Sequence, residues 1–115
     1  YVKEREQFGK PIGRNQGLQW YIAEMATKVE ASRLLLYNAA KMKEAKRPYS
    51  KEAAMVKLFA SETATFVAHK GIQLLGGYGF TKDYPLERFY RDARITEIYE
   101  GTSEVQKMVI AANLI

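Results

Sequence analysis

Apolar positions along this chain recur mainly at helical spacing. Leu18, Ile22, Met25, Val29, Leu36 and Ala40 fall mostly at three- and four-residue steps, which predicts a long amphipathic helix over about residues 16–46. At 1.5 Å per residue it would be about 45 Å long. Neither Pro nor Gly interrupts it after Gly17, its last turns from Lys41 to Arg47 are basic, and Pro48 closes it. A second long helix is predicted from Ser50, a good N-cap residue, to Leu75, with Gly76-Gly77 as a left-handed stop. It is apolar on several sides, through Ala53, Met55, Val56, Leu58, Phe59, Ala64, Phe66, Val67, Ile72 and Leu74, so it should lie between neighbours. Its polar strip is narrow: Glu62, Thr65, His69 and Gln73.

The shorter segments follow the same period. Tyr1, Arg5 and Phe8 read as the tail of an amphipathic helix, ended by Gly9, Pro11 and Gly13. Residues 76–83 read as a glycine-rich turn with aromatics. A helix over about residues 85–95 would turn Leu86, Phe89 and Tyr90 inward and Glu87, Arg88, Arg91, Asp92 and Arg94 outward, with Pro85 in its first turn. The last helix passes through Val105, Met108, Val109 and Ala112, with Ser103 as N-cap and Gln106 completing a capping box. No segment alternates with period two for long enough to make a convincing strand, and nothing repeats at a fixed interval. The expected fold is all-α, an up-and-down bundle of three or four helices forming one domain over residues 1–115.

Composition narrows the classes. At 115 residues the chain can build one core but not two. Cysteine is absent, which excludes a disulfide framework and thiolate metal sites and fits a reducing compartment. No apolar run is long enough to span a bilayer, and no signal-peptide pattern is present. A net charge of +5 is compatible with nucleic acid, an acidic protein or a phosphate-rich small molecule. The sequence opens on Tyr1 without Met and reads as a piece of a longer chain, with its last helix expected to continue beyond Ile115.

The candidate chemistry centres on Ile98-Tyr99-Glu100-Gly101-Thr102-Ser103-Glu104. Glu100 stands immediately before a glycine and a helix start, where unpaired N–H groups and partial positive charge favour anions and polar ligand edges. A carboxylate on such a turn can be held at a fixed angle over a ligand. It can equally be a solvated loop acid, and the local sequence leaves both readings open. A metal site is rejected: His69 is the one histidine, no Glu lies three residues before it, and helical di-metal bundles need paired Glu-x-x-His motifs. Gly76-Gly77-Tyr78-Gly79 follows a helix and not a strand, so it is neither a dinucleotide fingerprint nor a P-loop. Its small residues would still let a backbone approach a flat or anionic ligand. Nucleic acid is disfavoured, because Glu87 and Asp92 interleave the arginines at 88, 91 and 94 and the main helices are too long for a helix-turn-helix. Arg5-x-Gln7-Phe8-Gly9 puts a bidentate phosphate ligand, an amide reader and a stacking ring in one short run, although helix ends carry such runs too.

Taken together, these motifs are identified as those of a known family. The chain resembles the C-terminal helical domain of the acyl-CoA dehydrogenases over essentially its whole length. The resemblance rests on Arg5-Glu6-Gln7-Phe8-Gly9-Lys10-Pro11-Ile12, Asn15-Gln16, Ala23-Glu24-Met25, Gln73-Leu74-Leu75-Gly76-Gly77-Tyr78-Gly79, Glu87-Arg88-Phe89-Tyr90-Arg91-Asp92-Ala93 and Ile98-Tyr99-Glu100-Gly101-Thr102-Ser103. It is most similar to the short-chain and short branched-chain members.

The resemblance implies an FAD-dependent oxidation of a short acyl-CoA to the trans-2-enoyl-CoA. Glu100 would remove the α-proton while the β-hydrogen leaves as hydride to the flavin. Its backbone N–H would join a flavin hydroxyl in binding the thioester oxygen, and Tyr99 and Gly101 would line the acyl pocket. Thr102, Ser103 and Glu104 match FAD-contacting positions. Arg5, Gln7, Phe8 and Gln16, with Gln73, Leu74, Leu75, Gly76 and Gly77, match further FAD positions that reach largely toward a neighbouring subunit. A homotetramer or homodimer follows, with an electron-transferring flavoprotein as partner and the bacterial cytoplasm or mitochondrial matrix as setting. The family's N-terminal helical and β-barrel domains, and the helix that begins its C-terminal bundle, have no counterpart in this sequence, so this piece alone is expected to be inactive. The alternative is a helical binding or scaffold module that keeps the fold without catalysis.

Overall fold

The computed structural model describes all 115 residues, Tyr1–Ile115. Five helices carry the fold: α1 (Gln16–Glu44), α2 (Ser50–Leu75), α3 (Gly77–Phe80), α4 (Leu86–Ile95) and α5 (Ser103–Ala112). Ahead of them lie two short antiparallel strands, β1 (Glu6–Gln7) and β2 (Lys10–Pro11), and a single 3₁₀ turn, Ile12–Arg14. α2 is the element that α1, α3, α4 and α5 all pack against, as its many-sided apolar character requires.

The first eight residues do not continue a helix. Glu6 pairs with Pro11 and Gln7 with Lys10, and the two-residue loop between them is Phe8-Gly9. Both loop residues have positive φ, 51° and 75°. That is the turn type whose twist matches a hairpin, and Gly9 permits it. The helical spacing of Tyr1, Arg5 and Phe8 is therefore incidental. Backbone bonds from Ile12 N–H to the Arg5 carbonyl and from Gly13 N–H to the Val2 carbonyl fasten the hairpin to the 3₁₀ turn. The Gln19 amide caps the Gly13 carbonyl from the first turn of α1.

α1 ends two residues earlier than its sequence suggests. Lys46 takes φ 52°, its N–H donates to the Lys43 carbonyl, and the Arg47 N–H donates to the Met42 carbonyl. These paired bonds around a left-handed residue satisfy the last carbonyls of the helix before Pro48 is reached. The inward stripe also differs from expectation. Leu18, Tyr21, Met25, Lys28, Ala31, Ser32, Leu35, Ala39 and Met42 are the half-buried or buried positions, while Ile22, Val29, Leu36 and Ala40 lie on the exposed flank. α1 is apolar on both flanks, and contact with α2 selects one. Two lysines stitch that contact: Lys28 lies over Phe59 and Phe66, and Lys70 over Tyr21 at 4.0 Å from the ring centroid. Their alkyl stems cover apolar surface while the ammonium groups meet ring faces.

α2 runs from Ser50 to Leu75, but Ser50 is its first helical residue and not its cap: Tyr49 holds the cap position, and no side chain bonds the helix start. Gly76 has φ 59° and ψ −133°, a glycine conformation distinct from the left-handed helical one. It turns the chain at once into α3, so the aromatic turn is itself one helical turn. Buried Gly79 presses that turn onto α2: a Cβ there would sit 2.6 Å from the Ile72 carbonyl oxygen. α4 approaches α2 where Leu86 meets Gly71. Phe89 and Tyr90, expected inward, stay 50% and 39% exposed. The buried apolar set is small (Ala39, Ala54, Leu74), whereas Trp20, Leu34 and Met108 are more than half exposed.

Candidate functional site

Glu100 sits in the link from α4 to α5. The link opens with a helical turn, in which the N–H groups of Ile98 and Tyr99 both donate to the Ile95 carbonyl. Glu100 then adopts φ 53° and Gly101 φ 90°, two successive left-handed residues. For a glutamate this conformation is uncommon, costs of order 1 kcal/mol, and persists where the surroundings enforce it. Here the Gln106 amide donates to the Gly101 carbonyl at 3.1 Å and, more weakly, to the Glu100 carbonyl at 3.4 Å. The Lys57 ammonium donates to the same Gly101 carbonyl at 2.6 Å. Ser103 N–H closes the loop on the Glu97 carbonyl at 3.0 Å.

The cap differs from the one read in the sequence. Thr102, one residue earlier, is the N-cap, and its hydroxyl accepts from the Val105 N–H at 3.4 Å. Ser103 is the first helical residue; its side chain is buried and its hydroxyl has no partner. Gln106 does not return to the cap N–H but clamps the turn instead. The N–H groups of Glu100, Gly101 and Thr102 find no acceptor in the chain. Glu100 and Tyr99 are exposed, and Gly101 is half-buried. The turn therefore presents a carboxylate beside a run of free donors.

Glu104 is exposed in the first turn of α5. A backbone N–H holds its carboxyl below the ordinary value of 4.5, with help from the Thr102 hydroxyl and the Lys107 and Arg94 charges. Because the folded value is lowered, its contribution to the helix start is present above the ordinary carboxylate range and lost as pH falls through the folded value. In an NMR titration of the Glu104 side-chain carbonyl, the midpoint is expected below 4.5. Replacing Thr102 with Ala should move it upward.

A concave region lies at the other end of α2. A cleft of about 470 Å³ is lined by Arg5, Gln7 and Phe8 of the hairpin and by Gln73, Leu74, Leu75, Gly76 and Gly77. Two motifs some seventy residues apart in sequence thus share one surface. Tyr1, Ile12, Asn15, Leu18 and Tyr78 complete it, and Gln16 stands beside Asn15 on the first turn of α1. Tyr78 meets Tyr1 edge-on at 6.2 Å and Tyr84 at a tilt at 5.6 Å. Arg5 has no ion-pair partner, and Phe8 is 96% exposed at the hairpin tip. Free guanidinium, amide and ring faces of this kind suit a phosphate-bearing ligand with a flat group. The Glu100 turn and this cleft do not meet. Lys57 and Leu75 mark their places along α2, roughly 27 Å apart at 1.5 Å per residue.

The sequence of the acyl-CoA dehydrogenase C-terminal domain, as a family model, matches residues 1–115. The chain belongs to the acyl-CoA dehydrogenase family. Acryloyl-CoA reductase (NADH) of Anaerotignum propionicum is 63% identical over 96% of this chain and 28% of its own length. The short/branched chain specific acyl-CoA dehydrogenase of Rattus norvegicus mitochondria is 55% identical over 99% of this chain and 26% of its own. The solved FAD complex of PigA superimposes with a TM-score of 0.97 at 34% identity, covering 99% of this chain and 30% of that one. The chain thus spans less than a third of the length of these relatives.

Two contributors to the site escape the sequence reading. Gln106 is visible there only as a helix-capping partner. Lys57 had a signal, a lone cation inside the apolar run Met55-Val56-Lys57-Leu58-Phe59, but its target lies 44 residues away.

Proposed function

We propose that this domain supplies the base and part of the cofactor site of an FAD-dependent dehydrogenase that converts a short-chain acyl-CoA to the trans-2-enoyl-CoA. The observation that carries this reading is the Glu100 turn: a strained, clamped carboxylate next to backbone donors that nothing in the chain uses. The α-proton of a thioester is weakly acidic, and its removal leaves negative charge on the thioester oxygen. A positioned carboxylate answers the first need and a preorganised N–H the second. Glu100 takes the α-proton, the Glu100 N–H donates to the thioester oxygen, and Tyr99 and Gly101 border the acyl chain. FAD, when bound, supplies the acceptor for the β-hydrogen, which leaves with its electron pair.

The residues fit that cofactor in two groups. Thr102, Ser103 and Glu104 lie beside the base. Arg5, Gln7 and Phe8, with neighbouring Gln16 and residues 73–77, offer a guanidinium to a pyrophosphate and a ring to an adenine. Their separation of roughly 27 Å along α2 favours a homodimer or homotetramer in which the distant cleft holds the FAD of a neighbouring subunit. Reduced flavin would pass its electrons to an electron-transferring flavoprotein. Relatives occur in bacteria and in mitochondria, and this protein would act in the bacterial cytoplasm or the mitochondrial matrix.

The 63% identity to an acryloyl-CoA reductase favours a second reading of direction. By microscopic reversibility the same Glu100 can return a proton to the α-carbon, and the electron partner then decides which way the site runs. A purely structural module, the remaining alternative, would need neither the Glu100 carboxylate nor its clamp. The test is the visible absorption spectrum of the purified full-length protein before and after butyryl-CoA. A flavin band that bleaches is the expected result, and a protein without flavin would overturn the reading.

A further inference from the structure

We infer that Lys57 is a positioning residue for Glu100, acting through the Gly101 carbonyl; this rests on Glu100 being the base. Among all side-chain hydrogen bonds of the molecule, the one from Lys57 to Gly101 spans 44 residues, and every other spans six or fewer. It is therefore the side-chain hydrogen bond that ties the Glu100 turn to α2. Gln106 cannot replace it. That amide belongs to α5, which begins two residues after Gly101, so it fixes the turn relative to α5 only. The Ser103–Glu97 backbone bond likewise closes the loop upon itself.

The Lys57 ammonium has no other protein partner. Glu52 and Glu100 line the same open cavity of about 990 Å³ as Lys57, yet neither forms an ion pair with it. Its head is given to a neutral carbonyl at 2.6 Å, an arrangement that orders backbone and cancels no charge. The residue so ordered has φ 90° and directly follows a glutamate at φ 53°. Rotation at Gly101 swings the Glu100 carboxylate and its N–H together, and rotation about the Glu100 φ turns the carboxylate against that N–H. A shift of about 1 Å at a reacting group can cost on the order of a hundredfold in rate.

The full-length protein would be prepared as the parent, Lys57→Met, which keeps the stem and loses the donor, and Lys57→Arg, which keeps the donor and its charge. Flavin per subunit, kcat and KM for butyryl-CoA, and the isotope effect with α-deuterated butyryl-CoA are measured for each. For Lys57→Met the expected result is retained flavin, KM within about twofold, kcat per flavin lower by about 10- to 100-fold, and a larger isotope effect. Lys57→Arg should recover most of the loss. A kcat per flavin and isotope effect equal to the parent's would overturn the role, as would equal losses in the Met and Arg variants. Should Lys57→Met lose its flavin, Lys57→Gln, one atom shorter but still a donor, is judged by the same isotope effect. Glu100→Gln, run alongside, separates the two ideas. Undiminished turnover there refutes the base itself, whereas a dead Glu100→Gln beside a normal Lys57→Met refutes the Lys57 role alone.

Discussion

Replacing Glu100 with Gln in the full-length protein is expected to lower kcat with butyryl-CoA by about 10²–10⁴-fold while leaving FAD bound. The amide is nearly isosteric with the carboxylate, so the turn, with its φ of 53° and its clamps on the Gly101 carbonyl, should persist. What is lost is the ability to accept a proton. General-base catalysis by one positioned group contributes about 10²–10⁴-fold, and here no other carboxylate on the turn can take over, because Glu104 lies beyond the cap on the first turn of α5. The measurement pairs steady-state rates with the flavin absorption band. Lost bleaching with an intact band is the predicted pattern. Turnover at the parent rate would remove Glu100 from the mechanism.

The second large effect concerns stability. Gly79→Ala is expected to destabilise the protein by about 1–3 kcal/mol, the range for forcing atoms into a packed interior. The added methyl would lie 2.6 Å from the Ile72 carbonyl oxygen and 2.8 Å from its Cα. Both are backbone atoms of α2 and have no rotamer to change. α3 would have to lift from α2, carrying Gly77 and Tyr78 with it and reshaping the cleft that they line with Arg5 and Phe8. A lower denaturation midpoint, together with weaker FAD retention in the full-length protein, is the expected outcome. Gly77→Ala is the control: a Cβ at residue 77 meets nothing within 4 Å, so its midpoint should stay near the parent's.

Local patterning determined much of this protein. The two long helices, the stop at Gly76, the short helix before Ile95 and the place of Glu100 beside a helix start all follow from spacing, glycine and proline, which act within a few residues of themselves. Family motifs in their order were legible for the same reason, since each is a short contiguous string. The tertiary structure decided what depends on partners distant in sequence. The apolar residues of α1 form two flanks, and contact with α2 buried the Tyr21–Lys28–Leu35 side and left Ile22, Val29 and Leu36 outside. Phe8 and Gly9 became a hairpin tip because Ile12 and Gly13 return to bond Arg5 and Val2. Ser103 yielded the cap to Thr102 because its own side chain is buried. The convergence of residues 5–8 with residues 73–77, and the reach of Lys57 to Gly101, exist only after the bundle closes. A sequence pattern encodes the periodicity of an element, but long-range hydrogen bonds and shared clefts are set by how the elements dock.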